Sequence, residues 1–592
     1  MRHGIHNTRL GTLTIAMIIA SAAVGCSVQA DSSNASSPTA TESQYISVHL
    51  GTTPTFNSKT GLVTVTMSDE TAEVYLSAAD SSVYVNGVQV VDATVTPSVT
   101  AIGGGTKSNV KTVKVIDTAG TVGDVVILNY GNGFFGLGST TTAGTTVNLV
   151  MTSTNSLVIK GTTGVDNFAF GASGISLTNG AKVPTKDIVA THVNTYNVFL
   201  DAGNDIFTCS GNSAVGAAFT TGVSIFGGPG NDTLVEGAVQ TNNETFSGGA
   251  GTDTVDYSLR LATHPVMVTM DSTGATKSGQ ATTPGTQNTV TEDDYILDAD
   301  VIIGTPGNDW MAGDIAGTSV TLNGGLGNDT FSQGTGVATT YGSGAETLVG
   351  GGGIDVVDYS LRTASLTVVM DGKTASGDPT LNTNAGEGDV IGTDVMNIKL
   401  GSGGGTYTGN AMDNTFTANN AGVSTINGSD GNDTVLEGLN ANKNGSETFN
   451  GGKGVDTMDY SARTAAIVCT MDGATPCGDA TGNTNAGEAD YVGTDVENLY
   501  GGTGTDTLTG NDSDNDIEGN GGSDTICGGL GDDTLLGFSA QGVTGSASLH
   551  GSDCADSIPD PGYNLCLNAG LTGTPSAAGT GAVNQYCELL TN

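Results

Sequence analysis

The stretch Gly501–Gly537 reads GGTGTDTLT-GNDSDNDIE-GNGGSDTIC-GGLGDDTLL-G, with glycine every nine residues at Gly501, Gly510, Gly519, Gly528 and Gly537. Within each nonapeptide the first six places hold Gly, Asp, Asn, Ser or Thr, apart from Leu530. The last three carry one inward apolar residue, at Leu508, Ile517, Ile526 and Leu535. Glycine permits tight turns, and one apolar residue per short strand buries a single edge. The sixth place holds Asp506, Asn515, Asp524 and Asp533. Oxygen donors at fixed spacing on glycine turns suit a hard cation such as calcium. If one turn of the chain uses two nonapeptides, repeats eighteen residues apart stack. That sets Asp506 beside Asp524, and Asn515 beside Asp533.

Outward from this stretch, residues 222–500 repeat with a period near 100. The openings are FGGPGNDTLVEG, NGGLGNDTFSQG and NGSDGNDTVLEG. Each leads to a second glycine loop ending in DYS, with Tyr257, Tyr359 and Tyr460, then Arg260, Arg362 and Arg463. Each module closes on an acidic stretch, EDDYI, EGDVI or EADYV. Tyrosine packing and an arginine–carboxylate ion pair are the expected roles there. Residues 46–221 carry fainter signals, in GTTGVD and LDAGND. The organisation is then a signal at 1–26, a Ser/Ala/Thr tether at 27–45 and a β-rich region at 46–221. Modules follow at 222–318, 319–422 and 423–500, then the tandem array at 501–544 and a Cys-containing cap at 545–592. A small sandwich over 46–150 is the alternative for the faint region.

The GGxGxD pattern resembles the RTX, or hemolysin-type, calcium-binding repeat. The resemblance implies an all-β chain, a parallel β-roll or solenoid, binding several Ca2+ ions. Carried over residue by residue, it makes Asp232, Asp253, Asp309, Asp329, Asp355, Asp433, Asp456, Asp506, Asp524 and Asp533 side-chain ligands. Asp166, Asp205, Asp413 and Asn515 are weaker candidates with incomplete glycine patterns. Asp512–Asp516 is no EF-hand, since Ile517 and Ser523 stand where that loop needs Gly and Glu.

Sixty acidic and 17 basic residues give a formal charge of −43, which excludes nucleic acid and anionic membrane surfaces as partners. Ladders of carboxylates require counterions. Six histidines form no HExxH, and there is no GxSxG elbow, so no catalytic residue and no enzyme is expected. The apolar run Leu13–Val24 after Arg2 and Arg9 reads as an export signal. It ends in Ala23-Val24-Gly25-Cys26, similar to a bacterial lipobox, which implies acylation at Cys26. Cleavage after Val28-Gln29-Ala30 is the alternative. Cys469 and Cys477 appear together in one module only and are expected to bridge. Cys527 is expected to face outward, toward Cys554, Cys566 and Cys587, with Cys209 left over. The expected function is calcium binding coupled to folding, in a cell-surface scaffold protein. The alternatives are a calcium-dependent adhesin, or an enzyme with its site in 46–221. Localisation is extracellular or at the cell surface, lipid-anchored or freely secreted.

Overall fold

In the computed structural model the described residues are 55–57, 62–67, 71–76, 83–85, 88–89, 91–92, 112–117, 125–131, 146–178, 185–238, 243–270, 278–280, 294–313, 319–334, 344–378, 388–418, 422–438, 445–479, 489–537, 548–550, 565–567 and 588–589. The signal, Cys26, the tether, Cys554 and Cys587 lie outside them.

The regular elements among these residues are all strands, and most pair in parallel. Short strands dominate because each nonapeptide spares only three residues for extension. Each such strand turns its middle residue inward. The inward residues stack in register: Phe168 on Phe207, Leu234, Val255, Ile302, Leu322, Leu348 and Ile391. A second column runs through Phe331, Val357, Ile398, Phe416, Val435, Met458, Leu499, Ile517 and Leu535. All of these are buried. Each contributes about 1.5–3 kcal/mol relative to an exposed side chain. The core is thin but continuous, as a stacked solenoid requires.

The parallel stack begins well before the modules. Strand Leu62–Met67 pairs with Thr112–Asp117, that with Thr146–Lys160, then Ile188–Phe199, Val223–Pro229 and Glu244–Ala250. Among the described residues no separate sandwich breaks the stacking into the modules; hairpins such as Asn167–Gly171 with Gly174–Thr178 decorate it. In the tandem array, Thr507 pairs with Thr525 and Asp516 with Thr534, the eighteen-residue stacking expected. Within each module the stack is interrupted by an excursion. Thr254 pairs with Val301, Val356 with Asn397 and Thr457 with Asn498. Each excursion carries the DYS arginine, a strand that returns to the roll, and the acidic stretch.

Beyond Gly537 the chain adds further parallel strands. Ser548–His550 lies on Thr525–Cys527, and Leu565–Leu567 on Thr534–Leu536. The nonapeptide edges are thereby covered by continued stacking, which removes a template for edge-to-edge association.

Cys469 and Cys477 form a disulfide, their Cα atoms 4.2 Å apart. Cys477 ends the turn that follows strand Ile467–Thr470, so eight residues bring the two thiols together. Cys527 departs from expectation: it is disulfide-bonded but fully buried instead of facing outward. Strand Ser548–His550 pairs with its strand, Cys527 opposite His550. Cys209 is also buried.

Candidate calcium loops

The sixth-place residues form ladders along the stack. The N–H of Asp166 donates to Oδ1 of Asp205 (2.7 Å), that of Asp205 to Asp232 (2.9 Å), and that of Asp232 to Asp253 (2.8 Å). Further ladders run Asp309 to Asp329 to Asp355, Asn414 to Asp433 to Asp456, Asp506 to Asp524, and Asn515 to Asp533. One carboxylate oxygen of each later member is thus consumed in joining two coils. The fate of the other oxygen divides the loops into two kinds.

In the first kind, which starts each ladder, the loop is closed by its own sixth residue. Asp166 accepts from Thr162 N–H and hydroxyl, and Asp309 from those of Thr305. Asp506 Oδ2 accepts from Gly502 N–H (2.8 Å). Asn414 and Asn515 accept in the same way from Asn410 and Asn511 (2.9 and 2.8 Å). Their amide nitrogens then donate to carbonyls of the preceding coil. Asn414 reaches Met396 O and Asn515 reaches Glu497 O, while Asn410 and Asn511 reach Val395 O and Val496 O.

The second kind is open. Its second and fourth residues take positive φ, as at Gly228 (+104°) and Gly230 (+148°), or Asn520 (+59°) and Gly522 (+124°); in the Asp205 loop only the second, Asp201 (+72°), does. A Cβ at Gly230 would strike the Gly203 carbonyl of the preceding loop, so glycine is required both for φ and for close stacking. In these loops Oδ2 is buried and receives no hydrogen bond at Asp205, Asp232, Asp329, Asp355, Asp433, Asp456 and Asp524. At Gly227 an added Cβ would overlap both Asp232 Oδ2 and the carbonyl oxygen of Gly248. Gly428 repeats this with Asp433 and Gly451. A carboxylate oxygen and a carbonyl oxygen therefore converge on one small space.

Buried oxygens without donors disfavour the ionised form. Burial pushes Asp205, Asp433 and Asp524 up to about 7 and Asp329 up to about 8; neighbouring aspartates add to the rise. Asp253 and Asp456 rise to about 6, and Asp232 and Asp355 rise as well. Oxygen donors alone, converging and electrostatically unsatisfied, fit a calcium ion.

The structure sorts the expected ligands accordingly. Asp232, Asp253, Asp329, Asp355, Asp433, Asp456, Asp524 and Asp533 occupy open loops. Asp309 and Asp506 do not: both oxygens of each already accept backbone N–H, despite an apt local sequence. Asp205, ranked lower for want of its first glycine, has the bare oxygen; Asp166 is closed. Asp413 is off the ladder. It is exposed, its Oδ1 accepts from Asn432 N–H, and the ladder place belongs to Asn414, one residue on. Asn515 uses its amide fully within the protein.

The recurring DYS residues point elsewhere, into the core. Arg260 pairs with Glu236 (3.1 Å) and Arg463 with Glu437 (2.8 Å), all buried, as an ion-pair role requires. Tyr359 and Tyr460 donate to Asp389 and Asp490 (3.1 and 2.9 Å). The partner carboxylates escaped notice in the sequence because they lie 24 to 30 residues from these side chains.

The RTX calcium-binding nonapeptide repeat matches this chain in four copies, over residues 297–315, 340–358 and 500–535. Comparison with curated proteins gives no match. The matched segments hold Asp309, Asp355, Asp506, Asp524 and Asp533, and the hydrogen-bonded ladders join them to Asp329 outside. An all-β parallel stack, with glycine loops at the matched places, identifies this chain as one that carries RTX calcium-binding nonapeptide repeats.

Proposed function

We propose that the open loops bind calcium and that this binding stabilises the roll. Asp205, Asp232, Asp253, Asp329, Asp355, Asp433, Asp456, Asp524 and Asp533 supply the side-chain oxygens, and loop carbonyls the rest. The observation that carries this is the buried Oδ2 that no donor reaches at Asp205, Asp232, Asp329, Asp355, Asp433, Asp456 and Asp524, repeated along stacked loops; Asp253 and Asp533 share the backbone form of those loops. The ion supplies positive charge where coils would otherwise repel. The loops supply its pre-arranged oxygen cage. Circular dichroism of the full chain in chelator is expected to show a weaker β-signal and a lower melting temperature, and millimolar calcium to restore both. Magnesium should restore less, since it demands tighter octahedral geometry. A spectrum indifferent to chelator overturns the reading.

The setting that suits such a chain is outside the cell, where calcium is abundant. RTX calcium-binding repeat proteins are typically secreted, and the disulfide fits an oxidising compartment. Acylation at Cys26 would hold the solenoid at the cell surface as a calcium-rigidified scaffold. Mass spectrometry of the mature protein checks this: a lipid on Cys26 is expected, and an unmodified terminus at Asp31 overturns it.

A further inference from the structure

The first and third modules bury a second acidic cluster, inside the roll and built from residues outside the glycine loops. In the first module it comprises Glu236, Glu244 and Asp294; in the third, Glu437, Glu447 and Asp490. In both, one oxygen from each residue lies within 4.8 Å of the others. Asp294 and Asp490 are fixed by accepting from the N–H of Glu244 and Glu447 (3.0 Å each). All six side chains are buried.

The second module shows what such a cluster lacks. Gln333 stands where the others have Glu236 and Glu437, and its backbone carbonyl accepts from Arg362 Nε (2.6 Å). Its side chain is fully buried, yet neither its Oε1 nor its Nε2 has a hydrogen-bond partner. Beside it, neither oxygen of the fully buried Glu346 receives a hydrogen bond. Its neighbour is another carboxylate, Asp389, whose Oδ1 accepts from Glu346 N–H (3.2 Å). Repulsion from Asp389 adds to burial in driving Glu346 far above the usual carboxylate range. Gln333 and Glu346, both near Arg362, thus bury four polar side-chain atoms without hydrogen-bond partners, which marks a place for a ligand.

Charge identifies it. In the first module three carboxylates face one guanidinium, Arg260. That leaves a formal excess of two negative charges in the core, which a single divalent cation cancels. The second module gives up one carboxylate at Gln333 and has Asp378 near Arg362, keeping the same balance. The third keeps Glu437 and also has Asp479, buried, at the place of Asp378, so its formal excess is three, of which a divalent cation cancels two. Three carboxylates offer up to six oxygens and no sulfur or nitrogen, the donor set of a calcium-class ion. A spacing of up to 4.8 Å between donors matches oxygens on opposite sides of an ion about 2.4 Å from each.

We infer that each module encloses an interior calcium-class cation among these carboxylates, distinct from the ions of the glycine loops. The modules recur because each is a metal-centred unit.

The test turns on sign. Glu447→Gln is isosteric and removes one charge. If the cluster holds no cation, deleting a buried charge from a like-charged group stabilises the chain. If it holds one, the substitution releases it. The full chain, equilibrated with calcium and desalted, is expected to lose one ion per chain on Glu447→Gln, by elemental analysis, with a lower melting temperature. An unchanged count, or a higher melting temperature, overturns the inference. Tyr460→Phe covers the case in which that variant fails to fold, because it keeps every carboxylate. With terbium as probe, its tyrosine-sensitised emission should fall below wild type, since the Tyr460 ring is hydrogen-bonded to Asp490; undiminished emission counts against the site. Asp524→Asn separates this inference from the loop reading. It should cost a loop ion without touching Tyr460-dependent emission, and its own failure to lose an ion would refute the loop reading alone.

Discussion

Gly510–Asn515 and Gly519–Asp524 are adjacent nonapeptide loops of nearly the same composition, and they solve one problem in opposite ways. Both must satisfy carbonyls and a sixth-place side chain in a buried stack. The first does so with amide hydrogens: Asn511 and Asn515 donate to Val496 O and Glu497 O, and Asn511 N–H is accepted by Asn515. In the second, Asn520 Nδ2 donates to Gly501 O (2.8 Å), but nothing donates to Asp524 Oδ2, and Asn520 and Gly522 twist to positive φ to stack on the loop before. Position in the ladder separates them. A loop that starts a stack closes on itself, whereas one laid upon another loop opens and leaves an oxygen bare. The repeat thus has a self-satisfied form for its ends and, under the proposed function, a metal-dependent form for its interior.

The largest effect that can break this comparison comes from the fourth-place glycine. At Gly522 a Cβ would strike the Gly504 carbonyl, at φ +124°. Gly522→Ala is expected to cost about 2–4 kcal/mol, whereas Ser513→Ala at the same place in the closed loop should stay within about 0.5 kcal/mol. Thermal melts of the two variants in calcium check this; equal losses would mean that the loops do not differ.

Next come the sixth-place side chains. Asn414→Ala removes donors to Met396 O and to Asn410, and should cost about 1–3 kcal/mol in calcium and in chelator alike. Asp433→Asn, on the loop stacked above, should cost stability in calcium only. Paired melts with and without calcium make the distinction.

Acidity sharpens it further. Without calcium, Asp205, Asp433 and Asp524 sit at about 7 and Asp329 at about 8, against about 3.9 unfolded. The folded chain then holds more protons than the unfolded one between those values, so their contribution is full below about pH 4 and is lost as pH rises through 7 to 8. A chelated sample should therefore melt higher at pH 5 than at pH 8. Calcium displaces these protons, so the loaded protein should show the opposite slope. Parallel slopes would contradict ion binding at the open loops.

Much of this was legible in the sequence. The resemblance carried by the nine-residue glycine register implied the parallel stack, and two nonapeptides per turn implied its eighteen-residue step. Open and closed loops were not legible. GGTGTD at Gly501 matches the repeat better than LDAGND at Leu200, yet Asp506 is closed and Asp205 is open, since what lies beneath a loop decides its state. Asp413 was misplaced because GNAMDN lacks the second glycine that marks register. The interior cluster was hidden by separation: Glu236 and Asp294 meet only after the excursion between them has folded.

The smallest expected effect is the most discriminating. Judged by sequence, Asn515→Asp restores the repeat and should create a calcium site. In the structure it removes the donor to Glu497 O and to Asn511 Oδ1, leaving a carboxylate against two oxygens. An ion cannot simply replace that donor, because the loop is closed: Asn515 still accepts Asn511 N–H, and Ser513 at the fourth place resists the positive φ of an open loop. Asn515→Asp alone should therefore lower stability by about 1 kcal/mol and add no ion. Combining it with Ser513→Gly frees the backbone to open, and this pair should recover the loss and gain one calcium. Ion counts and melts on the single and double variants decide it. A gain of calcium by the single variant would show that the side chain alone, and not the backbone beneath it, sets which loops take metal.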